Sequence, residues 1–511
     1  MTEQPLAFGT AGLRGPMREG PGGMNVGTVT RATWALAKAL QDRCLGGSTV
    51  VVGRDARHHS DDFAIATAEV LAAEGFLVML LPDPVPTPVV AFAVRSRDAV
   101  AGVQITASHN PPADNGYKVF GDGGMQIISP TDREVEAAMA IAPAEPERVE
   151  VFPVGTELIH EYVHRAATVR RGTGDVRVAL TAMHGVGGEV ALQVLREAGI
   201  TDVHVVNEQF APDPDFPTVA FPNPEEPGAA DLLLALAADV DADVAIALDP
   251  DADRCAVGVP TADGWRMLSG DETGWLLGDY LLSRLDADEA SRCVVASTVV
   301  SSRMLASIAA GYGAEHVETL TGFKWLSRAD ADRPGKTLVY AYEEAIGHCV
   351  DPAAVRDKDG ISAAVLVCDL VAALRQEGRT VPGALDTLFG RHGVHATGAV
   401  PRRFSDVDAA RMAMAGLRES PPRELAGFAV DVEDLSARRG QQKTDAVILS
   451  GGDDATSVRV VARPSGTEPK LKCYIEVRLA GAADVGAADV EAARADAERL
   501  LARLTDEVSR W

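Results

Sequence analysis

Residues 49–80 read TVVVGRDARHHSDDFAIATAEVLAAEGFLVML. An apolar β-branched run, a polar turn, an Ala-rich helical stretch stopped at Gly75 and a second apolar run make a βαβ unit, the building block of parallel sheets. The plan returns at 176–206, VRVALTAMHGVGGEVALQVLREAGITDVHVV, and at 293–320, CVVASTVVSSRMLASIAAGYGAEHVETL, with Gly199 and Gly313 as helix stops. Spacings of roughly 120 residues predict three tandem mixed α/β domains in series rather than a short-period solenoid. Beyond the Pro/Arg-rich HATGAVPRRFSD, short strands alternate with loops, and DVEAARADAERLLARLTDEVSRW closes the chain as an amphipathic helix. That tail predicts a smaller C-terminal α+β domain. The expected domains are 1–160, 161–270, 271–390 and 391–511.

The 511 residues exceed what one core supports, in keeping with several domains. The 74 acidic residues against 48 basic ones leave a formal charge of −26, which argues against nucleic acid and anionic membrane surfaces as partners. Against that background, clustered Arg and Lys mark a site for a small anion. The six cysteines are scattered without a C-x-x-C pair, as in reduced thiols rather than a disulfide frame or zinc site. No run of 18 apolar residues occurs, and MTEQPLAFGTAGLRG lacks a basic segment followed by an apolar core. A cytoplasmic location without membrane contact is therefore expected.

Four loops concentrate the chemistry. In ITASHNPPADNGYKVF (105–120) an apolar strand delivers Ser108 to its carboxyl end, where open α/β sheets place ligands. Pro111, Pro112 and Asn115-Gly116 predict a rigid turn that returns Lys118 toward Ser108. In ALDPDADRCAVGV (247–259) the strand end carries Asp249, Asp251 and Asp253, whose mutual repulsion calls for a bound cation. An EF-hand is excluded, because Arg254 stands where its glycine belongs and Pro260 where its glutamate belongs. Hard oxygen ligands favour Mg²⁺. TLVYAYEEAIGHC (337–349) offers Glu343, Glu344 and His348 to sugar hydroxyls. TLTGFKWL, with Thr321, Gly322 and Lys324, and VRDKDG, with Arg356 and Lys358, add polar and basic groups. In VARPSGTEPKLKCYIEV (461–477), Arg463, Ser465, Gly466, Thr467 and Lys470 surround a glycine turn suited to a phosphate dianion.

TASHNP, DPDADR, EEAIGH and RPSGTEPK, in that order and one per expected domain, with GTAGLRG at 9–15, resemble the signatures of the α-D-phosphohexomutase superfamily over essentially the whole chain. The resemblance implies four domains around a central cleft and a phosphosugar mutase interconverting sugar 1-phosphates with 6-phosphates or 5-phosphates. It implies Ser108 as a phosphoserine, with Asp249, Asp251 and Asp253 holding Mg²⁺ together with a phosphoryl oxygen of Ser108. Lys118 and His109 become proton-transfer candidates, Arg14 and Arg254 line the reacting phosphate, and Glu343 meets sugar hydroxyls. Arg463, Ser465, Gly466 and Thr467 hold the non-reacting phosphate, and a sugar bisphosphate is the intermediate and activator. Many relatives carry Glu-x-Ser where this chain has Glu343-Glu344-Ala345, and GFKW with EEAIG looks most like the phosphopentomutase and glucose-1,6-bisphosphate synthase branch. Glucose or mannose phosphates are the expected substrates, for a monomer or homodimer. A phosphatase using the same serine and a non-catalytic sugar-phosphate sensor are the rivals.

Overall fold

Val50–Val52 are apolar at successive positions, and so are Ala101–Ile105 except for Gln104, so both faces of their strands must be covered. The computed structural model, which describes residue 6 and residues 12–440, 443–464, 470–480 and 487–511, buries both runs completely. The chain forms two compact units, Met1–Thr273 with Leu338–Gly378, and Gly274–Thr337 with Arg379–Trp511.

The first unit contains two five-stranded sheets of the same plan. One is built from β1 (Leu13–Pro16), β2 (Thr49–Arg54), β3 (Leu77–Leu80), β4 (Ala101–Ile105) and β5 (Asp114–Phe120), in the order β1-β5-β4-β2-β3. β2 runs parallel to both β3 and β4, and β5 returns antiparallel to β4. The chain leaves β2 for β3 on one side and then crosses to β4 on the other, so a topological switch point lies between the carboxyl ends of β2 and β4. Helices Ser60–Ala73 and Thr87–Ser96, which make these crossovers, pack on β2. The other sheet is built from β6 (Val178–Thr181), β7 (Val203–Val205), β8 (Val244–Leu248), β9 (Cys255–Thr261) and β10 (Gly264–Met267), in the order β10-β9-β8-β6-β7. β6 lies parallel to β7 and β8, and β9 returns antiparallel to β8. The βαβ pattern at 49–80 and 176–206 is thus a duplicated sheet, and the Ser108 loop and the Asp249 loop leave equivalent strands, β4 and β8.

The repeated unit at 293–320 forms β11 (Cys293–Thr298) and β12 (Glu315–Thr319), which pair in parallel in the second unit. Gly313, at φ 77°, ends the helix between them. β13 (Thr337–Glu343) and β14 (Gly347–Cys349) make an antiparallel hairpin that, from Leu338 onward, lies with helix Gly360–Gln376 in the first unit. The tail is an antiparallel sheet of six strands, β15 (Val394–Arg403), β16 (Glu424–Leu425), β17 (Phe428–Asp434), β18 (Val447–Gly452), β19 (Thr456–Pro464) and β20 (Lys470–Leu479), ordered β15-β20-β19-β18-β17-β16. The closing helix Ala487–Ser509 packs on β15 and β20. Buried Glu476 of β20 accepts from Ser302 Oγ at 2.8 Å, Arg303 Nε at 2.6 Å and His395 Nδ1 at 2.8 Å, which ties the turn after β11 to this sheet. Among the described residues no helix is long and apolar enough to cross a membrane.

One local expectation is corrected. The turn is made by residues 108–113, and Asn115-Gly116 lie inside β5. Glycine is needed there for another reason: a Cβ on Gly116 would sit 2.4 Å from the Thr106 carbonyl oxygen and 2.9 Å from that of Leu13, on the strands flanking β5. Gly116→Ala is expected to destabilise the protein by about 1–3 kcal/mol, since backbone on both sides must shift. A lowered urea midpoint at unchanged slope is the readout, and an unchanged midpoint would mean that the strands yield freely.

Candidate active site

β4 ends at Ile105, and the chain turns so sharply that Ser108 takes the left-handed conformation, φ 51°. Its N–H is held by Thr106 Oγ1 at 2.9 Å, and its hydroxyl donates to Asp249 Oδ2 at 2.9 Å. Half-buried His109 places Nδ1 3.4 Å from Ser108 Oγ, and Arg14 on β1 donates to Asn110 Oδ1 at 2.9 Å.

Asp249, Asp251 and Asp253 are all buried, and one oxygen from each lies within 4.8 Å of the others, the single such cluster among the described residues. Ala252 between them is left-handed, φ 53°, the kink that turns alternate carboxylates to one centre. Thr87 Oγ1 donates to Asp251 Oδ2 at 2.6 Å, and the Thr87 N–H to the Asp251 carbonyl at 2.9 Å. Lys118, brought back on β5, donates to Asp251 Oδ2 at 2.9 Å and Asp253 Oδ2 at 2.8 Å. Asp251 Oδ1 and Asp253 Oδ1 are buried without a hydrogen-bond partner. Orphaned carboxylate oxygens are costly in a protein interior, and a hard divalent cation satisfies them, so this donor set fits a metal.

The electrostatics follow from burial. Desolvation, reinforced by Asp251 and Asp253, pushes Asp249 well above the ordinary carboxylate range. Asp251 moves the other way, because Lys118 and the Thr87 hydroxyl outweigh its burial. Burial opposes the charge of Lys118, yet Asp251 and Asp253 overcome it and hold the ammonium above its usual value. The sequence admits Lys118 as a proton acceptor; in this arrangement both of its short contacts are to carboxylates of the acidic loop. Burial, with Arg254 and Arg14 nearby, pushes His109 well below its usual value, so its ring is neutral.

Arg254 lies 3.9–4.0 Å from Asp253, Glu225 and Glu343. Burial raises Glu343, against the pull of Lys358 and Arg254. Lys358 sits 3.3 Å from Asp253 and 3.7 Å from Asp357. Ser108, His109, Arg14, Lys118, the three aspartates, Arg254, Glu343 and Lys358 thus form one network in the first unit, with Glu344 half-buried on the turn after β13. His348 is a correction. It is wholly buried, its ring stacked on Tyr340 and Tyr342 and its Nδ1 3.1 Å from the Tyr340 hydroxyl, so it is not presented to a sugar.

In the second unit, Thr321 and Gly322 follow β12, and Lys324 lies in the short helix Phe323–Leu326. Arg463 and Lys470 stand near the facing ends of β19 and β20, where Arg463 pairs with Lys472. Ser465, Gly466 and Thr467 lie outside the described residues. Three contributors escape the sequence reading: Asp55, Arg57 and Thr87. The segment GRDAR across the carboxyl end of β2, at a switch point, is the signal for the first two. Thr87, in the proline-rich PVPTP, carries none.

A duplicated α/β sheet, a third βαβ segment and an antiparallel C-terminal sheet, with a buried serine facing three aspartates, are the parts of a phosphosugar mutase. The chain belongs to the phosphoglucomutase/phosphomannomutase family, whose models match its alpha/beta/alpha domain I at residues 5–144, domain II at 159–263, domain III at 269–390 and C-terminal domain at 432–497. It is therefore an isomerase that moves phosphate within a sugar phosphate. A Haemophilus influenzae protein named "Probable phosphomannomutase" is 40% identical over 469 residues, 89% of this chain and 93% of that protein. The mouse (Mus musculus) phosphopentomutase is 34% identical over 528 residues, 92% of this chain and 84% of its own length. The crystal structure of a phosphoglucomutase/phosphomannomutase family protein from Burkholderia thailandensis shares the fold, with a TM-score of 0.70 and 22% identity over 97% of this chain and 96% of that one.

Burial holds His348 down at about 3, so the folded protein keeps this ring neutral in acid while the unfolded chain takes up a proton below about 6.5. Its contribution to stability is complete above that value and is lost as pH falls from about 6.5 toward 3. His348→Phe is expected to flatten the fall in unfolding free energy over this window, by up to about 1.4 kcal/mol per pH unit. Urea titrations at several pH values test it, and an unaltered slope would place the protonation elsewhere.

Proposed function

We propose that Ser108 carries the phosphoryl group and that the substrates are hexose phosphates, converted between their 1-phosphate and 6-phosphate forms. The observation that carries the reading is the 2.9 Å contact from Ser108 Oγ to Asp249, beside two buried carboxylate oxygens that lack partners. A resting phosphoserine passes its phosphoryl group from Oγ to the free hydroxyl of a sugar monophosphate. The resulting bisphosphate turns and returns its other phosphoryl group to Ser108 Oγ, leaving the isomer.

Each residue has a task in that exchange. Asp249, Asp251 and Asp253 would hold Mg²⁺, which neutralises phosphoryl oxygens when bound. Lys118 and Arg14 offer positive charge to the transferring group. His109 is the neutral base next to Ser108 and takes the sugar hydroxyl proton. Arg254 and Lys358 hold Glu343 in place for sugar hydroxyls. Arg463, Ser465, Gly466, Thr467 and Lys470 grip the phosphate that is not reacting, with Thr321, Gly322 and Lys324 as further substrate contacts, and a sugar bisphosphate primes the serine. A pentose phosphate is the second reading, favoured by Ala345, which removes a hydroxyl from the sugar loop, and by the likeness to mouse phosphopentomutase.

Ser108→Ala is expected to abolish turnover, and phosphopeptide analysis should find the label on Ser108 of the active enzyme; a label elsewhere sinks the assignment. Glucose 1-, mannose 1- and ribose 1-phosphate, each with and without a sugar bisphosphate, rank the substrates. Release of inorganic phosphate in place of isomer would make the enzyme a phosphatase, and binding without turnover would make it a sensor. Arg463→Ala removes a charge-assisted contact worth about 2–3 kcal/mol. Apparent affinity should fall accordingly, and added bisphosphate should recover part of the rate. Unchanged affinity would move the clamp off this loop.

A further inference from the structure

Arg57 follows β2 at the switch point, is 4% exposed, and contacts neither the three aspartates nor the Ser108 side chain. Its guanidinium reaches the backbone instead. Nη2 donates to the carbonyls of Ser108 and Asn110, both at 2.6 Å, and Nη1 to those of Pro111 at 2.9 Å and Asp114 at 3.2 Å. Four carbonyls of one loop converge on a single planar cation. Asp55 lies 3.4 Å from Nε and is itself fixed by the Ser60 hydroxyl at 2.6 Å and the Arg57 N–H at 3.0 Å. The ring of Phe216, from the second sheet's domain, covers the guanidinium at 4.9 Å.

This arrangement has a mechanical meaning. Ser108 is left-handed at φ 51°, a conformation that costs a non-glycine residue energy unless its surroundings impose it. Local bonds from the Ser108 N–H to Thr106 and from Asn110 N–H to Ala107 bend the loop without fixing its distance from Asp249. Arg57 supplies that fix, because a planar fork sets the positions of several acceptors at once. We infer that Arg57, seated on Asp55 and capped by Phe216, is a positioning residue that holds the Ser108 loop at its distance from the aspartates and so sets the rate of phosphoryl transfer. The inference rests on Ser108 being the phosphoryl carrier. A lysine cannot replace the fork, since an ammonium has three N–H donors for four carbonyls.

The test compares Arg57→Ala, Arg57→Lys and Ser108→Ala with the parent enzyme, using glucose 1-phosphate with bisphosphate and Mn²⁺ titration as a probe of the aspartates. Both Arg57 variants are expected to keep Mn²⁺ affinity and a KM within about threefold while kcat falls on the order of 100-fold, as misplacement of a reacting group does. Guanidinium ion, well below denaturing concentration, should raise kcat of Arg57→Ala, and ammonium should not. A kcat within about threefold of the parent, or a loss that guanidinium leaves untouched, overturns the inference. If Arg57→Ala does not fold, Phe216→Leu replaces it, with kcat about 3- to 30-fold down at unchanged KM expected and an unchanged kcat overturning the inference. Ser108→Ala separates the two ideas: turnover without the serine defeats the phosphoserine reading, whereas a dead Ser108→Ala beside a normal Arg57→Ala defeats the clamp alone.

Discussion

An ammonium on a strand of one sheet meets two carboxylates on a loop of another: Lys118 Nζ lies 2.9 Å from Asp251 and 2.8 Å from Asp253, all three buried. Three carboxylates could not stay ionised in such a place unaided, since several kcal/mol per ion are lost on leaving water. Lys118 offsets part of that cost and joins the first two domains through a buried ion pair. The rest of the site is arranged around this pair. Asp249 turns to Ser108, the outer oxygens of Asp251 and Asp253 stay open, and Lys358 and Arg254 carry the balance of charge to Glu343.

The loop bearing these acids has almost no freedom. Gly360 N–H donates to the Ala252 carbonyl at 3.2 Å and Cys255 N–H to the Ile346 carbonyl at 3.0 Å, so segments from the third expected domain brace it. A Cβ on Gly360 would stand 2.3 Å from the Arg254 carbonyl oxygen, and one on Gly185 2.4 Å from that of Pro250. Backbone packs on backbone at both places. Such bracing keeps reacting groups in register without the reorganisation a softer loop would need.

Most of this was legible in the chain because it lies in short motifs at strand ends. The βαβ repeats gave their strands, helices and stop glycines directly, and Ser108, Lys118 and the aspartates came together as their motifs implied. Periodicity alone could not show that Asn115-Gly116 sits in a strand, because the reason is the close approach of β1 and β4 and not a turn. Nor could it separate a histidine facing substrate from one stacked on tyrosines: His348 owes its burial to Tyr340 and Tyr342, one strand away. That Lys118 is engaged by two buried carboxylates likewise depends on distances that no motif carries. The switch-point segment GRDAR could have drawn attention to Arg57, but not to its task, since its partners are main-chain carbonyls some fifty residues on, which carry no side-chain signature.

The helix Thr87–Ser96 follows Pro86, has no side-chain cap and carries no acidic residue in its first turn. What meets its amino end is Asp251, which accepts both the Thr87 N–H and the Thr87 hydroxyl. An anion in that position complements the positive end of a helix dipole. The main-chain carbonyl of Asp251 in the second domain's acidic loop thus takes the first N–H of this helix, while its carboxylate takes the Thr87 hydroxyl and faces the proposed cation. A ligand that drew on Asp251 Oδ2 would compete with the Thr87 hydroxyl at the start of this helix, which would link occupancy of the aspartates to the seating of a helix in the neighbouring domain.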